Sequence, residues 1–293
     1  MTENNLRSFV THDGAFHADE VTACALLLQF DLIDFERIIR TRDPAIHRQC
    51  EYVCDVGGKY ISEQKLFDHH QVDYQGNLSS AGMVLLYLKE SEVIDGQLYD
   101  FLNKALVIGV DAHDNGKELQ EEGVCTYSHI IANFAPIPYD CDPKEQEIAF
   151  FDALDFANGH IHRILERYRH IHSCRQIVAE IMESSKEVMI FDKPLAWMDL
   201  FFEMGGETHP AKFVVMPSGS HWKLRGIPPN PHEKMKVRYP LPMEWAGLME
   251  NELKKASGIP GAIFCHKGRF ISIWETKEDA LKALNVLLEH KPQ

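Results

Sequence analysis

The sequence has no Cys-x-x-Cys pair, no apolar run of membrane-spanning length and no overall excess of positive charge. The seven cysteines (Cys24, Cys50, Cys54, Cys125, Cys141, Cys174 and Cys265) are odd in number and irregularly spaced. That pattern argues against a disulfide framework, and reduced, mostly buried thiols are expected. The longest apolar run, Ala23–Leu28, is far shorter than the roughly 20 residues a membrane helix needs. The opening MTENNLRSFV is not an apolar leader, so a cytoplasmic protein with no membrane partner is expected. Gly (18) and Pro (14) are unexceptional, which excludes collagen-like and low-complexity readings. Asp and Glu (44) outnumber Lys and Arg (30), for a net charge of −14. Taken whole, that balance argues against a general nucleic-acid or membrane-surface binder.

What is present is a chain of 293 residues, 45% hydrophobic and 25% charged, long enough for one large domain or two ordinary ones. Sixteen histidines stand out. Many imidazoles beside many carboxylates are the donor types that divalent cations use.

Short apolar segments alternate with helical patterns along the first half. Leu6–Thr11, Arg37–Thr41 and Tyr52–Val56 read as strands, with Leu66–Phe67 a shorter one. Val21–Phe30, a helix capped at Ser79-Ser80, and Leu98–Val110 read as helices. This alternation predicts a parallel α/β sheet. From Pro143 to about Lys186 the spacing of Ile148, Phe151, Leu154, Ile161, Leu165 and Tyr168 is helical and predicts a helical connector. Beyond it, Val188–Phe191, Ala196–Phe202, Lys212–Met216, Trp222–Ile227, Ala262–His266 and Phe270–Trp274 read as strands, and Lys277–Leu288 as a closing helix. The expected organisation is an α/β domain with connector over 1–187 and a smaller α/β domain with a mixed sheet over 188–293.

Four clusters offer chemistry, each after an apolar segment. In THDGAFHADE (11–20), His12, His17 and Asp19 lie where a strand passes to a helix, at the edge where open α/β sheets bind ligands; Asp19 also suits a helix cap. Asp55 precedes Gly57-Gly58, either as a bridging carboxylate or as a turn residue. In Asp68-His69-His70, adjacent side chains diverge, so the two imidazoles serve different tasks and Asp68 can orient one of them. In GVDAHDNG (109–116), Asp114-Asn115-Gly116 is turn chemistry, which leaves Asp111 to the site. Asp-dominated ligation with some His and no Cys suits Mn²⁺ or Mg²⁺, with two ions accommodated.

The order His12…His17-x-Asp19, Asp55, Asp68-His69-His70, Asp111 resembles the motifs of the DHH phosphoesterase superfamily. THDGAFHADEVTACALL, RTRDP, DVGGKY, DHHQ, LSSAG, VDAHDNG, LPMEWAGL and SGIPGAIFCHKGRFI resemble, more closely, the Myg-type (melanocyte-proliferating-gene-one) exonuclease family, over about Arg7 to Ala283. One departure from pyrophosphatases and RecJ-type enzymes is His17, where they have Asp. The resemblance implies a DHH-type first domain. It implies one ion held by His12, His17 and Asp55, and a second by Asp19, Asp55, His69 and Asp111, with Mn²⁺ the first choice and Mg²⁺ the alternative. Asp68 would support from behind, and His70 would face the scissile phosphate. The implied activity is a 3′→5′ RNA exonuclease releasing nucleoside 5′-monophosphates. A pyrophosphatase-like, short-oligonucleotide or cyclic-dinucleotide phosphohydrolase is the alternative within this chemistry. A non-catalytic metal-stabilised binding protein is the alternative outside it.

Single-stranded RNA or short oligonucleotides are the expected partners, and the residues leave the oligomeric state open, a homodimer included. Arg42 is a candidate phosphate contact or a surface ion-pair partner. Lys223 and Arg225 are further candidates, as is His266, which equally suits a strand-end turn. Trp222 and Phe270 could stack on bases or sit in the core. Charge is unevenly divided. Residues 1–140 hold 23 acids and 10 bases, whereas residues 208–270 hold 4 acids and 10 bases. The acidity falls where cations are expected and the basic surplus where a phosphate chain would lie.

Overall fold

A computed structural model describes residues 6–119, 121–138 and 140–289. The chain is mixed α/β and divides into two compact units, between Tyr168 and Arg169. That division lies upstream of the 187/188 boundary read from the sequence, so the expected connector is shared between the units.

The first unit contains, in chain order, β1 (Phe9–Thr11), α1 (Ala18–Gln29), β2 (Ile38–Arg40), α2 (Pro44–His47), β3 (Tyr52–Cys54), β4 (Tyr60–Ile61), β5 (Leu66–Phe67), α3 (Ser80–Glu90), α4 (Gly96–Leu102), a turn of π-helix (Asn103–Val107), α5 (Ile108–Asp114), α6 (Tyr127–Ala132) and most of α7 (Pro143–Ser173). The sheet order is β2-β1-β3-β5-β4. All neighbours are parallel except β4, which runs antiparallel to β5. α1 is the central helix. Every residue from Ala18 to Leu27 is buried, so it is apolar all round apart from its acidic first turn, as a helix covered on every side must be. It packs against α3, α5 and α6, and Phe9, Leu26, Met83, Val84, Val107 and Phe150 share one core.

The second unit adds α8 (Arg175–Ser184), β6 (Val188–Ile190), α9 (Met198–Glu203), β7 (Phe213–Ser218), β8 (His221–Gly226), α10 (Glu250–Ser257), β9 (Ala262–Cys265), β10 (Ile271–Trp274) and α11 (Lys277–Glu289). Its sheet, ordered β6-β7-β8-β10-β9, is mixed: β6 and β7 are parallel and the remaining pairs antiparallel. Alternation splits it into two cores. Phe213, Val215, Leu224 and Trp274 pack with residues of α10 and α11. Val214 and Met216 pack with residues of α8 and α9. The strand expected at Ala196–Phe202 is instead helical from Met198. Trp197, Leu200 and Phe201 are buried at i, i+3 and i+4, a helical spacing that overrides the β preference of aromatic residues.

All seven cysteines are free. Among the described residues, no helix is long and apolar enough to cross a membrane.

Candidate metal centre

The sheet order fixes where a site forms. From β1 the chain steps to β2 on one side, then returns to β3 on the other, so the carboxyl ends of β1 and β3 flank the point where strand order reverses. His12 directly follows β1 and Asp55 directly follows β3, and His12 Nε2 lies 3.2 Å from Asp55 Oδ2. Asp68, His69 and His70 follow β5, the next strand along. These residues, with His17, Arg42, His113 and Asp114, line a cavity of about 1050 Å³.

Asp55 sits at the junction of two ligand groups. On one side, donor atoms of His12, His17, Glu20 and Asp55 lie within 4.8 Å of one another. On the other, Asp55 groups with His69 and His70, and His69 in turn with Asp19 and Asp114. Oδ2 faces the first group. Oδ1 faces the second, 3.6 Å from His69 Nε2 and 3.3 Å from His70 Nδ1, yet it is buried without a hydrogen bond. A buried carboxylate oxygen with no donor is costly unless something positive meets it. Oxygen and imidazole donors are groups that divalent cations take. The residues therefore fit divalent cations on both sides of Asp55. The backbone here is held at φ 55°, in the left-handed region that Asp tolerates better than most residues.

The structure separates Asp111 from Asp114. Asp111 Oδ1 accepts from the Ser79 amide (2.9 Å), the Ser79 hydroxyl (2.7 Å) and the Gly82 amide (3.1 Å), at the start of α3. Asp19 grips the same helix end, accepting from the amides of Ser80 (3.0 Å) and Ala81 (2.6 Å). The sequence places the cap at Ser79-Ser80, and Ser79 is the N-cap residue, though its side chain makes no cap hydrogen bond. The structure instead has Ser79 spend its hydroxyl on these two carboxylates, which do the capping. Gly82 is required by this grip, since a Cβ there would stand 2.4 Å from Asp111 Oδ2. Asp114, read from the sequence as a turn residue, is the last residue of α5. Its side chain reaches into the cavity, 3.0 Å from His69 Nε2. Where the sequence reading gave Asp111 to the site and Asp114 to the turn, a helix runs through both and sets them one turn apart, Asp111 under the end of α3 and Asp114 at the cavity.

Protonation follows from these contacts. Burial pushes His12 toward neutrality, but Asp55 and Glu20 more than offset it and hold its pKa up at about 10. Asp114 and Asp55 raise His69 to about 10. Burial works against the charge on Asp55, but the hydrogen bond from His12 and the proximity of the His69 ring prevail and hold its carboxyl well below the usual range. Burial lifts Asp111, and burial together with the charges of Asp55 and Asp114 lifts Asp19. Asp68 accepts from the Gly58 amide (2.5 Å), the His70 amide (3.0 Å) and His70 Nδ1 (2.8 Å). It thereby raises the pKa of the exposed His70 ring and is itself held low against burial.

Comparison with known proteins then decides the family. A family model for MYG1 exonucleases, described as an uncharacterised protein family (UPF0160), matches residues 8–287. The chain belongs to the MYG1 exonuclease family. It is 51% identical over 285 residues to the "MYG1 protein" of Chlamydia trachomatis serovar D, covering 97% of this chain and 98% of that one. It is 31% identical to the "MYG1 exonuclease" of Mus musculus over 325 residues, and to that of Homo sapiens over 323. Each of these alignments covers 96% of this chain and 85% of the mammalian one.

In this MYG1-family chain two residues of the centre escape a motif-by-motif reading. Glu20 is fully buried and accepts the His17 amide at 3.0 Å while lying 3.3 Å from His12 Nε2. The signal was its place three residues after His17, the capping-box spacing. Arg40 is buried against the Phe150 ring (4.5 Å) and donates to the Gly14 carbonyl (2.6 Å), so it clamps the loop that carries His12 and His17. Arg42 lies exposed on the cavity wall, 3.4 Å from Asp13, in a surface ion pair of the kind that is one of its two sequence readings. The other three candidates belong to the second unit. Lys223 and Arg225 are two apart on β8 and project from one face. The Arg225 guanidinium lies 5.4 Å from the Phe270 ring, and His266 contacts the same ring at 4.4 Å. Burial lowers the pKa of both bases, and Arg225 Nε is buried without a hydrogen bond. Trp222 is covered by Lys277 at 5.3 Å.

Proposed function

We propose that this chain is a cytoplasmic, divalent-metal-dependent phosphodiesterase that removes nucleotides from the 3′ end of single-stranded RNA or short oligonucleotides. The observation that carries the reading is Asp55, with one carboxylate oxygen toward each of two groups of His and carboxylate donors. Two bound cations would supply an activated water and offset the charge that develops at phosphorus. The chain's own residues do the rest. Asp68 fixes the His70 ring through Nδ1, leaving Nε2 as the nitrogen for a phosphoryl oxygen. Arg42 is placed to exchange its exposed ion pair with Asp13 for a phosphate. In the second unit Arg225 and His266, both against Phe270, and Lys223 on the same strand as Arg225 would hold the backbone and a base of the polymer. The name exonuclease carried by the mouse and human relatives supports the same reading.

Among the described residues lining the cavity, Arg42 is the single Lys or Arg. One base suits a phosphodiester better than pyrophosphate, whose several negative charges call for several cationic side chains. The test offers the purified protein Mn²⁺ with pyrophosphate in one tube and end-labelled single-stranded RNA in another. Stepwise shortening from the 3′ end with release of 5′-monophosphates is expected. Phosphate release with intact RNA would give the small-substrate alternative instead, and no turnover with any divalent ion would give a binding protein.

A further inference from the structure

A further group of ligand atoms does not include Asp55, although one member, His113, also lines the main cavity. His113 Nδ1 lies 2.5 Å from Glu118 Oε2, and His129 Nε2 lies 3.9 Å from the same oxygen. The two rings meet edge to face, with centroids 5.4 Å apart. One donor atom from each residue falls within 4.8 Å of the others. Bond lengths of about 2.0–2.2 Å put tetrahedral neighbours about 3.3–3.5 Å apart, so to hold one small ion His113 and Glu118 would part by about 1 Å and His129 would approach by about 0.5 Å. Glu118 and His129 line their own cavity, of about 410 Å³, which Glu121 and Glu122 make acidic.

The surroundings orient the ligands. His129 Nδ1 is turned to the Thr126 hydroxyl at 3.1 Å, which leaves Nε2 as the nitrogen facing Glu118. The three residues come from three places: the last turn of α5, the segment after it, and α6. Two imidazoles and one carboxylate are a three-ligand set that zinc takes.

We propose that His113, Glu118 and His129 bind a zinc ion at a site separate from the Asp55 centre, and that this ion ties the segment between α5 and α6 to both helices. The connection ends beside Asp114, so the ion would brace the helix end that carries a candidate ligand of the main centre.

The experiment measures zinc bound per chain after chelator treatment and dialysis of the full chain against zinc, with thermal melts of the same samples. His129→Ala and Glu118→Gln should each bind one equivalent fewer than wild type. Asp55→Asn should retain this equivalent while losing metal elsewhere, and Asp55→Asn/His129→Ala should show both losses added. The zinc-dependent rise in Tm that Asp55→Asn retains should vanish in the double variant. Unchanged zinc content in both His129→Ala and Glu118→Gln would overturn the proposal and leave an ion-paired cluster. Loss of every equivalent in Asp55→Asn alone would overturn the separateness of the site. Since His129 lies outside the main cavity, Mn²⁺-dependent turnover by His129→Ala tells a failure of this site from a failure of the catalytic reading.

Discussion

Replacing Asp111 and Asp114 by alanine, one at a time, tests which of the two serves the fold and which the cations. Asp111 Oδ1 receives three hydrogen bonds, from the Ser79 amide and hydroxyl and the Gly82 amide. Removing a helix cap costs about 0.5–2 kcal/mol, and leaving buried donors unpaired adds about 1–3. The burial that disfavours its charge offsets part of this, so Asp111→Ala should cost about 2 kcal/mol. At about 2–4 °C per kcal/mol for a chain of this size class, Tm should fall by roughly 4–8 °C. Asp114 has one ion-pair partner, His69 at 3.0 Å, and its charge opposes those of Asp19 and Asp111. The pair is largely buried, but relief of that repulsion offsets its loss, so Asp114→Ala should lower the metal-free Tm less than Asp111→Ala does. The assay is thermal denaturation with chelator and with Mn²⁺. A ligand at 100 times its Kd stabilises by about 2.7 kcal/mol. Asp111→Ala should start lower but keep the Mn²⁺-induced increment, while Asp114→Ala should start closer to wild type and lose much of it. The opposite pattern would refute the assignment drawn from the helix geometry and restore the one read from the motif.

Three further outcomes follow from the same contacts. His12 and His69 are held protonated up to about pH 10 and must lose those protons to ligate a cation, so apparent Mn²⁺ affinity should rise with pH through neutrality toward that value; calorimetry in buffers of different ionisation enthalpy should detect proton release, and buffer-independent heats would contradict it. Gly82→Ala would set a Cβ 2.4 Å from Asp111 Oδ2 and should cost about 1–3 kcal/mol, read as a drop in Tm with chelator present. Lys223→Ala and Arg225→Ala should each weaken RNA binding and lower the slope of log affinity against log salt by about 1 if each meets a phosphate, whereas an unchanged slope would remove that residue from the RNA contact.

The parts of the centre legible in the sequence are those that follow a strand. His12, Asp55 and Asp68-His69-His70 each come directly after a short apolar run, and in a parallel sheet the carboxyl ends of such runs share one edge. Apart from Arg40, the parts that were not legible lie on helices. Glu20 hides in the first turn of α1, where an acidic residue is ordinary capping chemistry. Asp111 and Asp114 differ only in depth, which depends on where the end of α3 stands in space, and no local pattern reports that. Arg40 reads as part of a strand and becomes a clamp only once Phe150, more than a hundred residues on, is folded beneath it. In the second unit, the aromatic residues of Trp197–Phe202 carry a β preference that burial on a helical face overrides.

The π turn at Asn103–Val107 has a consequence beyond its five residues. Such a turn is what a single added residue looks like once a helix has absorbed it. Successive α-helical residues are about 100° apart, so the addition rotates everything after it by about that angle. α5 begins at the next residue, and Asp111, His113 and Asp114 all ride on it. The turn therefore acts as a phase setting. Without it, the same sequence in α5 would aim its carboxylates about a quarter-turn away, and both the cap on α3 and the cavity would lose them. A one-residue deletion there is in effect a rotation of the centre's far wall, which makes this stretch, itself without a candidate ligand, the place where the length of the chain matters more than its chemistry.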